Sequence, residues 1–166
     1  SGCTTIFNSD DKPSQVLSRK DHRVLSYGSS PQANLRITHI GTGMERTFFT
    51  LELNNMSIGE FDLRVPGRHN VFNAAAGALA CYEFGLSWET IRKGLEVFGG
   101  TKRRCEKLAE GHGITLYDDY AHHPKEVTAT LEALRGWYPH RRFITIFQPH
   151  TYSRTKALLK DFSRSF

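Results

Sequence analysis

The spacing of apolar residues changes near Pro66–Gly67, and this change limits the folds that the 166-residue chain can adopt. Before that point, three segments alternate apolar and polar side chains and are separated by turn-forming residues. This pattern predicts an antiparallel β section with one packed face and one wet face. The segments are residues 33–41, 46–53 and 57–65, and "TTIF" and "RVLSYG" predict two earlier strands.

After Pro66–Gly67 the sequence becomes typical of helices. An alanine-rich helix is predicted from about Asn70 to Phe84, with Gly85 as its C-terminal stop. Cys81 lies inside this pattern and is expected to be a buried small hydrophobe. Ser87 is the expected N-cap of the following helix.

The segment "FGGTKRR", residues 98–104, predicts a hinge because two glycines precede three positive charges. We place a domain boundary there, which divides the chain into residues 1–100 and 101–166. Beyond the hinge, strand-like and helix-like segments alternate with short connections, which predicts a parallel sheet with right-handed crossovers. The segments are strands at 105–108, 113–119 and 141–147, and helices at 124–136 and from Arg154 onward.

The composition restricts the possible partners and compartments. The formal charge is +5, but the basic residues are interleaved with acids, which indicates a solvated surface or a phosphate-rich ligand before a nucleic acid. The three cysteines contain no C-x-x-C pair, so neither a zinc ribbon nor a disulfide framework is supported. No apolar run is long enough to span a bilayer and no secretory leader is present, so we expect a cytoplasmic location.

Two polar segments lie before and within the predicted hinge. Asn70 and Asn73 are three residues apart and would share one helix face in the first turn, where two carboxamides could read the donor and acceptor edge of an adenine. An N-cap with a solvated asparagine is the simpler interpretation of that segment. In "GTKRRCE", the fork of Arg104 suits phosphate recognition, and an exposed basic loop is the alternative.

Two further polar segments each follow a predicted strand and precede a helix, the position at which open α/β sheets bind ligands. They are "DDYAHHPKEV", residues 118–127, and "FQPHTYSRTKAL", residues 147–158. Each delivers a histidine, His122 and His150, to the same expected rim. A metal-dependent hydrolase site built from Asp118, His122, His123 and His150 is an alternative, although the H-x-x-x-H spacing of zinc hydrolases is absent.

Taken in order, four segments resemble the Mur ligase family of peptidoglycan synthesis, and the resemblance extends over nearly the whole chain. They are "PGRHNVFNAAAGA", "FGGTKRRCE", "DDYAHHPKEV" and "FQPHTYSRT". The resemblance implies an α/β fold: the distal part of a central ATPase domain, with an antiparallel β section plus helices, over residues 1–100. The start of a Rossmann-like parallel α/β domain would follow over residues 101–166.

The same resemblance implies a cytoplasmic, ATP-dependent amide-bond ligase of cell-wall synthesis, which also bears on cell shape and cell division. ATP would phosphorylate the lactyl carboxylate of UDP-N-acetylmuramate, and the amine of L-alanine would attack the acyl phosphate. Neither nucleic acid nor membrane is an expected partner. Ligation of a recycled murein tripeptide, or nucleotide binding without catalysis, are the alternative functions.

Residue by residue, the resemblance implies roles at eight positions. Asn70 and Asn73 would contact the adenine side of ATP, Asp119 would hold the ribose, and Arg104 would approach the phosphates as a catalytic residue. The nucleotide-sugar product and the amino acid would lie against four residues, of which His122 would also be catalytic. These four are Tyr120, His122, His150 and Arg154.

The 166 residues contain no G-x-x-x-x-G-K-[S/T] loop for cradling phosphates. The resemblance also implies that the ligands for Mg²⁺ lie upstream of the chain, so no metal ligand is assigned within it. We expect the sequence to be an excerpt that holds half of an ATP site and does not turn over by itself.

Overall fold

A five-stranded mixed sheet organises the first part of the chain. The structure is a computed structural model that describes residues 3–11 and 23–166. The strands lie in the order β1-β2-β3-β4-β5; β1 pairs with β2 and β2 with β3 in parallel, whereas β3, β4 and β5 pair antiparallel. The predicted antiparallel section is therefore confirmed. The strands are β1 Thr4–Asn8, β2 Arg23–Gly28, β3 Leu35–Gly43, β4 Arg46–Leu53 and β5 Met56–Leu63.

Alternation along β3 to β5 gives the sheet its packed face. The inward side chains are almost fully buried, which stabilises the fold by roughly 1.5–3 kcal/mol for each large apolar side chain. Asn54 and Asn55 close the β4–β5 hairpin with φ of 49° and 67°, as a tight hairpin turn requires. The inward side chains include Leu35, Ile37, Phe49, Leu51, Phe61 and Leu63.

Two helices cover this packed face. Helix α1 is Arg68–Glu83 and begins two residues before the predicted start; helix α2 is Trp88–Val97. The predicted Ser87 cap is confirmed, since its Oγ accepts a hydrogen bond from the backbone N–H of Thr90 at 3.2 Å. The prediction that Cys81 is buried is wrong, because the packed face of α1 runs along other positions and leaves Cys81 exposed. Those positions are Val71, Ala74, Ala75, Ala78 and Leu79.

The second part of the chain is built differently from the predicted parallel arrangement. Its two strands, β6 and β7, pair antiparallel as a hairpin, and residues 141–147 form no strand. A strand needs neighbouring backbone groups to pair with, and residues 141–147 pair with no other strand within the described part of the chain. The elements are β6 Glu106–Gly111, β7 Ile114–Asp118, α3 Pro124–Trp137, α4 Tyr152–Ala157 and α5 Leu159–Phe162.

Helix α3 confirms the helix predicted at residues 124–136. Pro124 occupies its first turn, where the missing N–H costs nothing. His123 is the N-cap, and its Nδ1 accepts a hydrogen bond from the backbone N–H of Lys125 at 3.3 Å. Glu126 completes a capping box by accepting the backbone N–H groups of His122 and His123 at 2.9 and 3.1 Å.

The C-terminal end of α3 packs against the turn between β3 and β4 and joins the two parts. Trp137 donates its indole N–H to Thr47 Oγ1 at 3.2 Å, and both residues are buried. Beside them, Glu45 Oε1 accepts from the hydroxyl of Tyr138 and from Lys107 Nζ, each at 2.5 Å. Burial, and then the hydrogen bond to Glu45, raises the pKa of Tyr138 above its ordinary value.

Candidate functional site

A cavity of about 570 Å³ lies between the N-terminal half of α1, residues 98–105 and the N-terminal half of α3. We call it the cleft. Four residues that the sequence predicts to bind a nucleotide line it together, namely Asn70, Asn73, Arg104 and Asp119. Other lining residues include His69, Thr101, Cys105, Lys125 and Glu126.

The two asparagines are held at the start of α1. Asn70 donates its side-chain amide to the carbonyl of Pro66 at 2.8 Å, and its Oδ1 accepts the amide of Asn73 at 3.4 Å. The pair thus shares one helix face, as predicted. Asn73 lies in the second turn rather than the first, because the helix begins at Arg68.

Gly67 precedes α1 and leaves room for the ring of His69, which lines the cleft. Its φ of 99° belongs to a region that side chains disfavour, and an added Cβ would lie 2.7 Å from His69 Cε1. The first turn of α1 has no side-chain cap and contributes His69 and Asn70 to the cleft, so the positive end of the helix dipole lies at this edge. The local sequence therefore favours a negatively charged ligand group here.

Asp119 is fixed by backbone donors from both sides. Its Oδ2 accepts the N–H of Cys105 at 2.7 Å, and its Oδ1 accepts the N–H of Ala121 at 2.6 Å. Burial, and then the negative charge of Asp119, raises the pKa of the Cys105 thiol to about 12. Cys105 is consequently protonated at neutral pH and is a poor nucleophile.

His69 lies in the field of the two charged residues of the cleft. Burial lowers the pKa of His69 below its ordinary value of 6.5, and the positive charge of Arg104 acts in the same direction, whereas Asp119 opposes it. The neutral imidazole therefore predominates at pH 7. The same Arg104 helps to lower the pKa of Glu126, after the larger effect of the hydrogen bond from the His122 backbone.

Three aromatic rings meet beside the cleft. The ring of Tyr120 lies 5.1 Å from that of His122 and 6.3 Å from that of His150, centroid to centroid. We call these three residues the rim. Tyr120 follows Asp119 directly, so one loop contributes to both the cleft and the rim. The structure therefore brings two histidines that are 28 positions apart to the same tyrosine ring, although the strand predicted before the second segment does not form.

Comparison with known proteins gives the context of this geometry. Residues 1–81 match the Mur ligase middle domain, and residues 103–166 match the Mur ligase, glutamate ligase domain. The chain belongs to the Mur ligase family. The predicted resemblance and the predicted α/β class are thereby confirmed.

Individual relatives match most of this Mur ligase chain. The UDP-N-acetylmuramate–L-alanine ligase of Desulfosudis oleivorans is 42% identical over 158 residues, which cover 95% of this chain and 35% of that protein. A UDP-N-acetylmuramate–alanine ligase from Thermotoga maritima has a TM-score of 0.79 at 26% identity, covering 92% of this chain and 35% of its own. The chain thus spans little more than a third of the length of such relatives.

A more distant relative shares the fold. The MurF ligase of Thermotoga maritima, solved in complex with ADP, has a TM-score of 0.68 at 16% identity and covers 81% of this Mur ligase chain and 31% of its own. At that identity the likeness concerns the fold alone.

Arg154 stands apart from the other predicted site residues of this Mur ligase. No hydrogen bond, ion pair or ring contact joins it to the rim within residues 3–11 and 23–166. Its Nη1 is buried and has no hydrogen-bond partner among those residues. A buried guanidinium nitrogen without a partner is costly, so an anionic ligand group would be stabilised beside it.

Sequence reasoning missed four titratable residues of the cleft: His69, Cys105, Lys125 and Glu126. His69 directly precedes Asn70, and its side chain turns into the cleft only because Gly67 allows it. The signal for Glu126 was present, since a carboxylate three residues after an N-cap is typical of a capping box. Lys125 follows Pro124 at the start of α3, next to the predicted loop.

The metal-hydrolase alternative gains no structural support. Within the described residues, no group of three or more His, Cys, Asp or Glu side chains is arranged to hold a metal ion. None of the described helices is both long and apolar enough to cross a bilayer.

Proposed function

We propose that this chain supplies part of the ATP site and part of the substrate site of a UDP-N-acetylmuramate–L-alanine ligase. The observation that carries the proposal is the convergence of Asn70, Asn73, Arg104 and Asp119 on one cleft. A cavity of about 570 Å³ is within the range typical of small-molecule sites. The names of the relatives support the choice of substrates.

The cleft offers each part of ATP a suitable chemical partner. Carboxamides can both donate to and accept from the adenine edge, which suits Asn70 and Asn73. Asp119 retains lone pairs beyond its two backbone partners and can accept hydroxyl groups of the ribose. The N-terminus of α1 and the guanidinium of Arg104 favour phosphate oxygens.

In the proposed reaction, ATP activates the lactyl carboxylate of UDP-N-acetylmuramate as an acyl phosphate, which the amine of L-alanine then attacks. Arg104 would stabilise negative charge that develops on the transferred phosphoryl group. Tyr120, His122, His150 and Arg154 would hold the muramoyl group and the amino acid, with His122 close to the reacting groups. Because ATP is abundant in the cytoplasm, we propose that the reaction takes place there.

We further propose that residues 1–100 and 101–166 belong to two domains that meet at the segment 98–104. A phosphate-cradling lysine loop is absent from the 166 residues, and no metal cluster is formed by the described ones. Other parts of the complete ligase would supply that loop and the ligands of Mg²⁺. This chain alone would then bind a nucleotide weakly and would not release phosphate.

Nucleotide binding can be measured by isothermal titration of the 166-residue chain with ATP. We expect Asn73→Ala to weaken binding by about tenfold, since it removes one polar contact, and Asp119→Asn to weaken it at least as much, since it also loses an acceptor of a backbone N–H. Asp161→Asn, an exposed change on α5, serves as the matched control and should leave the affinity unchanged. Equal affinities for all four proteins would contradict the assignment of the cleft.

Turnover distinguishes the proposed function from its alternatives. Phosphate release should require UDP-N-acetylmuramate, L-alanine, ATP and Mg²⁺, and should occur with the complete ligase but not with this chain alone. Activity with a murein tripeptide in place of L-alanine would indicate a recycling ligase instead. Nucleotide binding by a complete protein that turns over neither substrate would indicate a binding module. Removal of Mg²⁺ with EDTA should abolish the activity.

A further inference from the structure

Arg103 lies against the rim. Its Cζ lies 4.8 Å from the centroid of the Tyr120 ring, and its backbone carbonyl accepts the Tyr120 N–H at 2.9 Å. The residue is thus attached to Tyr120 both by its backbone and by its side chain. Arg104, the next residue, lines the cleft.

The backbone of Arg103 is held in an unusual conformation. Its φ is 57°, in the left-handed region that a residue with a Cβ adopts only at a cost of about 1–2 kcal/mol. The N–H of Arg103 donates to Glu106 Oε2 at 2.8 Å, which helps to fix this conformation. The direction of the side chain towards Tyr120 is therefore imposed by the loop.

The guanidinium has unused capacity for hydrogen bonding. It forms an ion pair with Asp118, but Nε lies 3.7 Å from Oδ2, which is beyond hydrogen-bond distance. The guanidinium makes no hydrogen bond within the described residues, and the side chain is 64% exposed. A guanidinium over an aromatic ring uses its face for the ring and keeps N–H groups at its edge for another partner.

We propose that Arg103 binds an anionic oxygen of the substrate at the rim. The inference rests on the proposed function and extends its substrate site by one residue. The ligand group is a carboxylate or a phosphate, because a guanidinium pairs with either in a bidentate fork and remains charged at all physiological pH values. Stacking on Tyr120 orients the fork, and the rim histidines lie around the same ring.

The test is steady-state kinetics on the complete ligase with Arg103→Gln, Arg103→Lys and a matched control. The control is Arg135→Gln, since Arg135 is also an exposed arginine beside an aromatic ring, with Cζ 6.0 Å from the Phe143 centroid. We expect Arg103→Gln to raise the KM of one rim substrate about 10- to 100-fold, as expected for loss of a charged hydrogen bond. The KM of ATP should change less than about twofold, because the contact lies outside the cleft.

The two substrates identify the source of the anion. A higher KM for L-alanine assigns the contact to the amino-acid carboxylate, and a higher KM for UDP-N-acetylmuramate assigns it to the nucleotide sugar. Arg103→Lys should recover part of the loss, because it keeps the charge but lacks the fork.

Several outcomes would overturn the inference and leave the proposed function intact. They are unchanged KM values, a rise confined to ATP, equal effects of the Arg135→Gln control, or a lower Tm of Arg103→Gln with unaltered kinetics. A wild-type ligase without turnover would overturn both the inference and the proposed function.

Discussion

The apolar side chains of the first region, the described residues 3–11 and 23–97, are buried to a very different extent from those of the second region, residues 101–166. In the first region, twelve buried residues from β3, β4, β5 and both helices form one continuous cluster with Val65, which follows β5. In the second, the buried cluster consists of only Val127, Leu131 and Phe162. Ile144 and Ile146 of the second region are 73% and 93% exposed.

This difference implies that the two regions are stabilised in different ways. The first has a sheet covered by α1 and α2, so its apolar side chains are buried against one another within that region. The second has a two-stranded hairpin, which is marginally stable alone, and depends on the contact of α3 with the β3–β4 turn. Substitutions in the first region should therefore lower the free energy of unfolding of the chain. Substitutions at the contact should lower the hydrogen-exchange protection of the second region.

The largest effect is expected for Phe49→Ala. Phe49 is fully buried and its ring stacks on that of Phe61 with centroids 5.7 Å apart. Its removal should lower the free energy of unfolding by about 3–5 kcal/mol, measured by urea denaturation. Ile146→Ala, at an exposed position of the second region, should change it by less than about 0.5 kcal/mol. Similar losses for both would remove the contrast between the regions.

A smaller effect is expected for Trp137→Phe. The variant loses the indole N–H that binds Thr47 Oγ1 and should cost about 1–2 kcal/mol. Hydrogen exchange should show lower protection in α3, while β3 to β5 keep theirs. Trp88→Phe, a matched change in the first region, should leave the exchange of α3 unchanged. Loss of protection across the whole chain would instead indicate one cooperative unit.

Glu126→Gln tests the start of α3 through pH. The hydrogen bond from the His122 backbone, followed by the charge of His122 and the bond from His123, holds the pKa of Glu126 below its ordinary value of 4.5. The charged carboxylate therefore stabilises the fold above pH 4.5, and this contribution is lost as the pH falls through the lowered pKa.

At pH 7, Glu126→Gln should lower the free energy of unfolding by about 1 kcal/mol, as expected for a helix cap. The difference from the wild type should shrink towards zero in acid. Glu132→Gln, on the exposed side of the same helix, is the control and should show little effect at either pH. A difference that persists in acid would mean that the charge of Glu126 is not responsible.

The smallest effect is expected at the exposed edge of the contact. Lys107 Nζ pairs with Glu45 at 2.5 Å and with Glu110 at 2.6 Å, and these bonds, led by that to Glu110, raise the pKa of Lys107. Lys107→Gln should lower the free energy of unfolding by no more than about 1 kcal/mol, and the loss should be smaller in about 0.5 M salt. Lys93→Gln, which breaks a pair within α2, should leave the exchange of α3 unchanged.

Those parts of the fold that depend on neighbours in sequence could be predicted. The alternation of β3 to β5, the cap at Ser87 and the limits of α3 are local, and the structure confirms them. The strand predicted at 141–147 was wrong because strand formation depends on a distant partner segment. The parallel pairing of β1, β2 and β3 likewise left no local signal.

The candidate site could be predicted in part for the same reason. Asn70, Asn73, Arg104 and Asp119 stand in recognisable polar segments, and the structure places them at one cleft. Their roles remain predictions. His69 and Lys125 were missed because the orientation of a helix face towards a cavity is set by tertiary packing, which the order of residues does not show.

The two backbone bonds of Asp119 have a mechanical consequence. One carboxylate ties residue 105, just before β6, to residue 121, just beyond β7, so the open end of the hairpin cannot splay without breaking a charged hydrogen bond. A ligand hydroxyl that pulls on this carboxylate would shift Tyr120 with it, since the two residues are adjacent. Binding of a ligand in the cleft would then change the positions of the rim side chains without a movement of the hinge.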